Sequence, residues 1–275
     1  MMHKQTTTIW QFPKISPLKQ REWFYCKESM SHPAKMPTYL AQAIILTYTQ
    51  KGDFILDPMT GIGTTVIEAV KLGRNAVGIE YERKFMGICN KNLKLTREKM
   101  NNQIGRGMFI QGDAREISKT LRNSNNFDSI IFSPPYEQVV CNQDNNSELC
   151  RQKFGYMVSY SDKPKEKMPP SQINIGLQKG KTYLGEMLKV YQECYTVLKQ
   201  GSFMILVVKN FRRKGEESDL MGNTIQLCKM AGFKFFQTCI RVLNGVSFWQ
   251  INSTRKTPYL MLNLTEYILV FRKHN

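Results

Sequence analysis

Two groups of residues in this sequence have types and spacings suited to chemistry. The first is the tetrapeptide Ser133-Pro134-Pro135-Tyr136, which follows the apolar run Ser129-Ile130-Ile131-Phe132. Two successive prolines lack N–H donors and fix φ, so they end a sheet ladder and aim the backbone carbonyls in a set direction. Such a segment suits an aromatic amine. The Ser133 hydroxyl and the Pro134 carbonyl would accept its two amino hydrogens, while Tyr136 would offer a ring for stacking. The exocyclic nitrogen of cytosine or adenine is a poor nucleophile because its lone pair is delocalised into the ring. Hydrogen bonds of this kind favour a tetrahedral nitrogen whose lone pair attacks in line. The proton can leave after transfer, so positioning rather than a strong base supplies much of the rate. A base in a duplex would first have to be flipped out of the stack.

The second group is a set of acids. Asp57, Glu80 and Asp113 each follow a short apolar run, as Ser133 does, and ligands in parallel α/β sheets bind at the carboxyl ends of the strands. In Asp57-Pro58-Met59-Thr60-Gly61-Ile62-Gly63-Thr64-Thr65 the glycines permit a tight turn and close approach of backbone to a ligand at the next helix. Glu80, 23 positions after Asp57, is placed to bind both hydroxyls of a ribose, and Asp113 to accept from an adenine amino group. Tyr81 and Ala114 are assigned to the same site. The loop lacks the third glycine of the dinucleotide fingerprint and the Gly-Lys-Ser/Thr of a P-loop, which disfavours a pyrophosphate. The acids suit instead a nucleoside with a cationic tail, as S-adenosylmethionine has in its ammonium and sulfonium groups.

These residues need elements to hold them. Helical periodicity is predicted over Tyr39–Thr49, Thr64–Leu72, Arg83–Met100 and Leu184–Leu198. Strands are predicted at Phe54–Leu56, Ala76–Ile79, Met108–Ile110, Ser129–Phe132, Phe203–Val208, Lys234–Val242 and Tyr267–Phe271. The alternation implies a mainly parallel sheet with helices on its faces. Residues 1–30 carry Trp10, Phe12, Trp23, Phe24 and Tyr25 without periodicity and read as an ordered arm packed on the domain. Residues 137–182 form a long polar insertion with Lys153, Lys163, Lys165, Lys167, Lys179 and Lys181 interleaved with Tyr156 and Tyr160. That composition fits phosphate contacts and base stacking, or equally a solvated loop. Arg212-Arg213-Lys214 after the Phe203–Val208 run would form a basic loop at the same edge of the sheet.

The chain has 275 residues, enough for one large domain. Its 39 Lys and Arg against 22 Asp and Glu give a formal charge of +17, which favours a polyanionic partner. Seven cysteines without a Cys-x-x-Cys pair read as reduced thiols, and with three scattered histidines they assemble no metal site. None of the cysteines follows a proline, which argues against the cysteine nucleophile used in carbon methylation of cytosine and for nitrogen as acceptor. The opening MMHKQTTTIWQF lacks the apolar core of a signal peptide and no run is long enough to span a bilayer, so a cytoplasmic location is expected.

Taken together, these segments resemble the amino-methylating DNA methyltransferases. Their cofactor loop reads Asp-Pro-Phe-x-Gly-x-Gly-Thr, and their catalytic tetrapeptide Asp/Asn/Ser-Pro-Pro-Tyr/Phe. His32-Pro33-Ala34-Lys35-Met36-Pro37 is similar to the His-Pro-x-x-Lys-Pro segment that precedes the loop, with the lysine one place early. The resemblance covers residues 31–136. It implies a Rossmann-like class I methyltransferase fold: a mixed, mainly parallel seven-stranded sheet with helices on both faces, in one catalytic domain spanning 1–275. It also implies S-adenosylmethionine as cofactor, with His32 and Lys35 near its methionine moiety. The implied partner is double-stranded DNA, and a cognate restriction endonuclease would act beside the enzyme. Serine at the first catalytic position resembles the cytosine-N(4) enzymes, whereas aspartate is commoner in adenine-N(6) enzymes. The cofactor loop precedes the catalytic motif here, the reverse of an order common in the family. Target recognition has no template and is assigned to 137–182. An adenine-N(6) enzyme, an RNA or protein-glutamine amino-methyltransferase, and a non-catalytic DNA-recognition subunit are the alternatives.

Overall fold

The computed structural model describes residues 8–32, 35–122, 126–136, 174–178, 180–213, 216–243 and 265–274. Its strands are β1 (Ile9–Trp10), β2 (Phe54–Asp57), β3 (Asn75–Glu80), β4 (Gly107–Gln111), β5 (Phe127–Phe132), β6 (Leu198–Val208), β7 (Phe211–Arg213), β8 (Glu216–Ser218), β9 (Lys234–Val242) and β10 (Thr265–Arg272). Its α-helices are α1 (Pro17–Arg21), α2 (Thr38–Tyr48), α3 (Thr64–Lys71), α4 (Arg83–Lys99), α5 (Ile117–Thr120), α6 (Gly180–Val197) and α7 (Leu220–Met230).

Eight strands join in one sheet in the order β1-β9-β10-β6-β5-β2-β3-β4. The seven expected strands are all present, β10 running antiparallel between β6 and β9 while the rest are parallel. The eighth comes from the arm, where Ile9 and Trp10 pair in parallel with Ile240 and Arg241. Sequence periodicity does not reveal a two-residue strand. What seats it is single anchors: Trp10, Phe12 and Tyr25 are buried, and the Ile240 N–H donates to the Thr8 carbonyl at 2.7 Å.

Both faces of the sheet are covered, which explains the apolar runs. Successive strand residues point to opposite sides: Ile55, Ile131, Ile205, Val207 and Ile268 pack in one core with α2, α3 and α4, while Leu56, Ile130, Phe132, Leu206 and Leu269 pack in the other with α6 and α7. Helix α4 buries Phe85, Ile88, Cys89, Asn92, Leu93 and Thr96, a single stripe at helical spacing. Helix α6 does the same with Tyr183, Met187, Val190, Tyr191, Cys194 and Val197.

Two boundaries differ from expectation. Helix α6 begins at Gly180, so the insertion ends before 182, and β6 begins at Leu198, well ahead of Phe203. Helix α7 was not expected, because it buries only Leu220, Thr224 and Cys228; the Asp219 side chain caps it, accepting from the Gly222 N–H at 2.8 Å. Arg212 and Arg213 of the basic segment lie on β7, in register with Glu217 and Glu216 of β8, while Lys214 lies outside the described residues. Lys153, Lys163, Lys165, Lys167, Lys179, Tyr156 and Tyr160 lie outside the described residues. Among the described residues, no helix is long and apolar enough to cross a membrane.

The chain order places β3 and β4 on one side of β2, and β5 and β6 on the other. Loops leaving β2 and β5 therefore diverge and open a crevice at the carboxyl edge, the position where such sheets bind ligands.

Candidate active site

The loop between β2 and α3 is fixed by hydrogen bonds that the sequence supplies locally. Asp57 accepts from the Met59 N–H at 3.1 Å, the Thr60 N–H donates to the Ile79 carbonyl at 3.1 Å, and the Gly63 N–H donates to the Thr60 carbonyl at 2.8 Å. From α4, the Cys89 thiol donates to the Gly61 carbonyl at 3.1 Å and the Asn92 amide to the Ile62 carbonyl at 2.9 Å. Gly63 adopts φ 85°, a left-handed conformation that L side chains rarely take, and a Cβ there would lie 2.6 Å from Cζ of Phe109. Gly63 therefore shapes the loop from behind.

All the other residues selected from sequence line one cavity of about 630 Å³: His32, Lys35, Asp57, Pro58, Thr60, Gly61, Thr64, Glu80, Tyr81, Asp113, Ala114, Ser133, Pro134, Pro135 and Tyr136. The acids at strands β2, β3 and β4 mark one half of it and the tetrapeptide after β5 the other.

Glu80 accepts from the Gly61 N–H at 2.7 Å and from the Glu82 N–H at 2.8 Å, so its carboxylate also ties the glycine loop to β3. Asp57 and Glu80 are both buried, and no ion pair among the described residues claims either. Burial pushes Asp57 up to about 7 and Glu80 up to about 8, against hydrogen bonds that favour the charged forms. The Thr60 hydroxyl is buried with no hydrogen-bond partner. Uncompensated acids and an orphaned hydroxyl in one cavity fit a ligand carrying positive charge and hydroxyl groups.

Asp113 is more committed than expected. It caps the 3₁₀ turn Ala114–Glu116 through the Arg115 N–H, and the Arg115 guanidinium binds both of its oxygens before reaching Glu186 on α6 at 2.8 Å. Arg115 also lines the cavity. The sequence shows two acids far apart and does not show that one arginine bridges them.

The arm closes the opposite wall. The His32 ring packs edge-on against Phe85, with centroids 4.4 Å apart, and its Nε2 would lie 3.1 Å from a Cβ on Gly61. The Lys35 ammonium donates to the Met30 and His32 carbonyls, and burial lowers it to about 8. The Asn92 carbonyl accepts from the Cys26 N–H and the Ser29 hydroxyl while its amide holds Ile62, which ties the arm to the glycine loop through one buried side chain.

Ser133 Oγ donates to the Val207 carbonyl on β6 at 2.9 Å. Its one proton is therefore spent on the backbone, and its remaining lone pairs are acceptors. The Tyr183 hydroxyl donates to the Pro135 carbonyl at 2.7 Å, fixing the second proline from α6. Burial holds the Tyr136 phenol well above its ordinary range, so it stays neutral. Sequence reasoning missed three further lining residues on this side: Val207, Lys209 and Glu266. On the acid-lined side it missed Asn174 and Ile175; the Asn174 amide donates to Glu82 at 2.9 Å.

A family model described as a DNA methylase of the N6_N4 type matches residues 2–91, and one described as an RNA cap guanine-N2 methyltransferase matches residues 52–167. The Type II methyltransferase M2.DpnII of Streptococcus pneumoniae is 45% identical over 67 residues, covering 24% of this chain and 25% of that protein. M2.MboI of Moraxella bovis is 40% identical over 88 residues, 32% of this chain and 30% of that protein. M.HinfI of Haemophilus influenzae is 29% identical over 134 residues, 44% and 36%. The matches thus span about a quarter to a third of these relatives' lengths. Among solved structures, a SAM-dependent methyltransferase from Methanosarcina mazei aligns with TM-score 0.51 at 14% identity, over 84% of this chain and 97% of that one. The cyclase SpnF aligns with TM-score 0.54 at 13% identity, over 91% and 86%. These two share the Rossmann-like fold of the sheet described above. The DNA methylase model falls on the segment that carries His32, Lys35 and the Asp57–Thr64 loop, and over that third of its length the chain is similar to the amino-methylating DNA methylases.

Proposed function

We propose that the chain is an S-adenosylmethionine-dependent DNA methyltransferase that transfers a methyl group to the exocyclic N4 amino group of cytosine in a flipped-out base. The observation that carries this reading is the single cavity in which buried acids without a paired cation face the Ser133–Tyr136 segment. The cofactor supplies an electrophilic methyl group on a sulfonium sulfur. Asp57, Glu80 and the Thr60 hydroxyl would hold its charged and hydroxyl groups, with Gly61, Thr64, Tyr81, Ala114, His32 and Lys35 enclosing it and Gly63 shaping the loop. Asp113, already bound to Arg115, would act with that arginine as a polar pair beside the nucleoside.

On the other side, Ser133 Oγ and the Pro134 carbonyl would accept the two amino hydrogens, with Tyr136 stacked on the base. Held in this way, the amino nitrogen would be aligned to take up the methyl group that the cofactor would supply and would then give up one proton to water. Serine in the first catalytic position supports cytosine. Type II relatives support a duplex substrate, and a cognate restriction endonuclease would be a partner in function. The match to an RNA cap guanine-N2 family favours RNA as the second reading.

The test is transfer from labelled cofactor to unmethylated duplex DNA and to RNA, with nucleoside mass spectrometry of the digests. N(4)-methylcytosine is the expected product. N(6)-methyladenine would overturn the base but keep the mechanism, and label in RNA alone would overturn the substrate.

The raised carboxyls give a pH dependence. Their folded values lie above the ordinary 3.8 and 4.5, so in the ligand-free protein they favour the fold in acid, and this contribution is lost as pH rises through about 7 and about 8. A cationic ligand favours the ionised forms. Cofactor affinity is therefore expected to rise on the order of tenfold or more from pH 6 to pH 8, with a larger thermal stabilisation by cofactor at the higher pH. Calorimetric titration across this range checks it, and a flat profile would remove the ionised carboxylates from the binding site.

A further inference from the structure

The half of the cavity around Ser133 contains a cation that the reading above does not use. Lys209 directly follows β6, two residues past Val207, whose carbonyl accepts the Ser133 proton. Because β10 is antiparallel to β6, its first residues return to this same edge, and the pairing of Tyr267 with Val208 brings Glu266 abreast of Lys209. Both line the cavity with Ser133 and Tyr136. Glu266 is held by Arg241, which also donates to the Tyr39 hydroxyl and lies over the Tyr39 ring at 5.2 Å. No ion pair among the described residues claims Lys209, and burial lowers its pKa from the ordinary value while Glu266 opposes the shift.

A flat base gripped only by its amino group and stacked on a tyrosine keeps one freedom, rotation in its own plane about the amino nitrogen. A second in-plane contact removes it. In cytosine and adenine the carbon bearing the amino group also carries an unprotonated ring nitrogen, an acceptor beside the amine. We propose that Lys209 is a substrate-orienting residue that donates a hydrogen bond to this ring nitrogen, with Arg241 holding the Glu266 carboxylate so that the ammonium is left for the base. This rests on the proposed methylation of a base amine. A cationic donor at the ring nitrogen also draws electron density from the ring. That strengthens the amino hydrogens as donors to Ser133 and the Pro134 carbonyl, and eases loss of the proton after transfer.

The test compares wild type with Lys209→Met and Lys209→Arg on a duplex carrying the site mapped from the wild-type product, and on the same duplex with the target base replaced by its analogue with carbon at that ring position (3-deazacytosine for cytosine). On the normal duplex Lys209→Met is expected to lose roughly ten- to hundredfold in kcat/KM, the size of a hydrogen bond to a charged group, with cofactor affinity unchanged and Lys209→Arg partly active. The analogue should cost wild type a similar factor and cost Lys209→Met little more, because the contact is already gone. Equal activity of Lys209→Met and wild type, full multiplication of the two losses, or indifference of wild type to the analogue would overturn the assignment. Should Lys209→Met not fold, the response of wild type to the analogue decides alone. Failure of wild type to methylate any base is a separate result that overturns the function and this contact together.

Discussion

Ser133→Ala is expected to lower turnover on DNA by about a hundredfold or more, with cofactor affinity nearly unchanged, because it removes an acceptor whose contact strengthens as the amino nitrogen becomes tetrahedral. The structure sharpens the reason. A free serine hydroxyl could donate to the substrate or accept from it, but here its proton is given to the Val207 carbonyl, so only acceptor capacity remains toward the cavity. The same substitution removes that hydrogen bond to β6, which should cost about 1 kcal/mol of stability. Single-turnover rates, cofactor titration and thermal unfolding separate the effects. Unchanged turnover would remove Ser133 from the reacting centre, and a collapse of cofactor binding would show that the substitution acts through the fold instead.

The acid-lined half of the site was legible because Asp57 and Glu80 end apolar runs on buried strands and Asp113 closely follows the run of edge strand β4. Asp57, Glu80 and Asp113 announce themselves as the first acid after such a run, and parallel order then brings them to one edge. Lys209 carries the same signal, as the first charged residue after the buried end of β6, but the richer basic cluster just beyond it masks that signal. Glu266 could not be found in this way: it is the second residue of its strand, and it reaches the site because β10 inserts antiparallel between β6 and β9. The arm was read as packed but not as part of the sheet, since two residues of β1 contain no period and the burial of Trp10 depends on a strand some 230 positions away in sequence. The role of Arg115 was hidden for a related reason, because it lies two positions after Asp113 while Glu186, which fixes the arginine, belongs to a helix 71 positions further on.

Asp57 gives the other large effect, and its sign differs between binding and stability. Asp57→Asn keeps an oxygen that can accept from the Met59 N–H, so the loop retains that bond, and the substitution removes only the charge and one acceptor. A carboxylate buried without a paired cation costs folding energy, which is what the displacement of its pKa to about 7 records. The ligand-free variant should therefore unfold at the same temperature as wild type or slightly above it. Cofactor affinity, in contrast, should fall roughly ten- to hundredfold at pH 8, the size of a charge-assisted hydrogen bond. The fall should shrink toward pH 6, where the wild-type carboxyl is itself mostly protonated. Calorimetric titration and thermal unfolding on the same preparations test both halves. Unchanged affinity at pH 8 would exclude Asp57 from the ligand, and marked destabilisation of the ligand-free protein would mean that the carboxylate is there to hold the loop rather than to meet a cation.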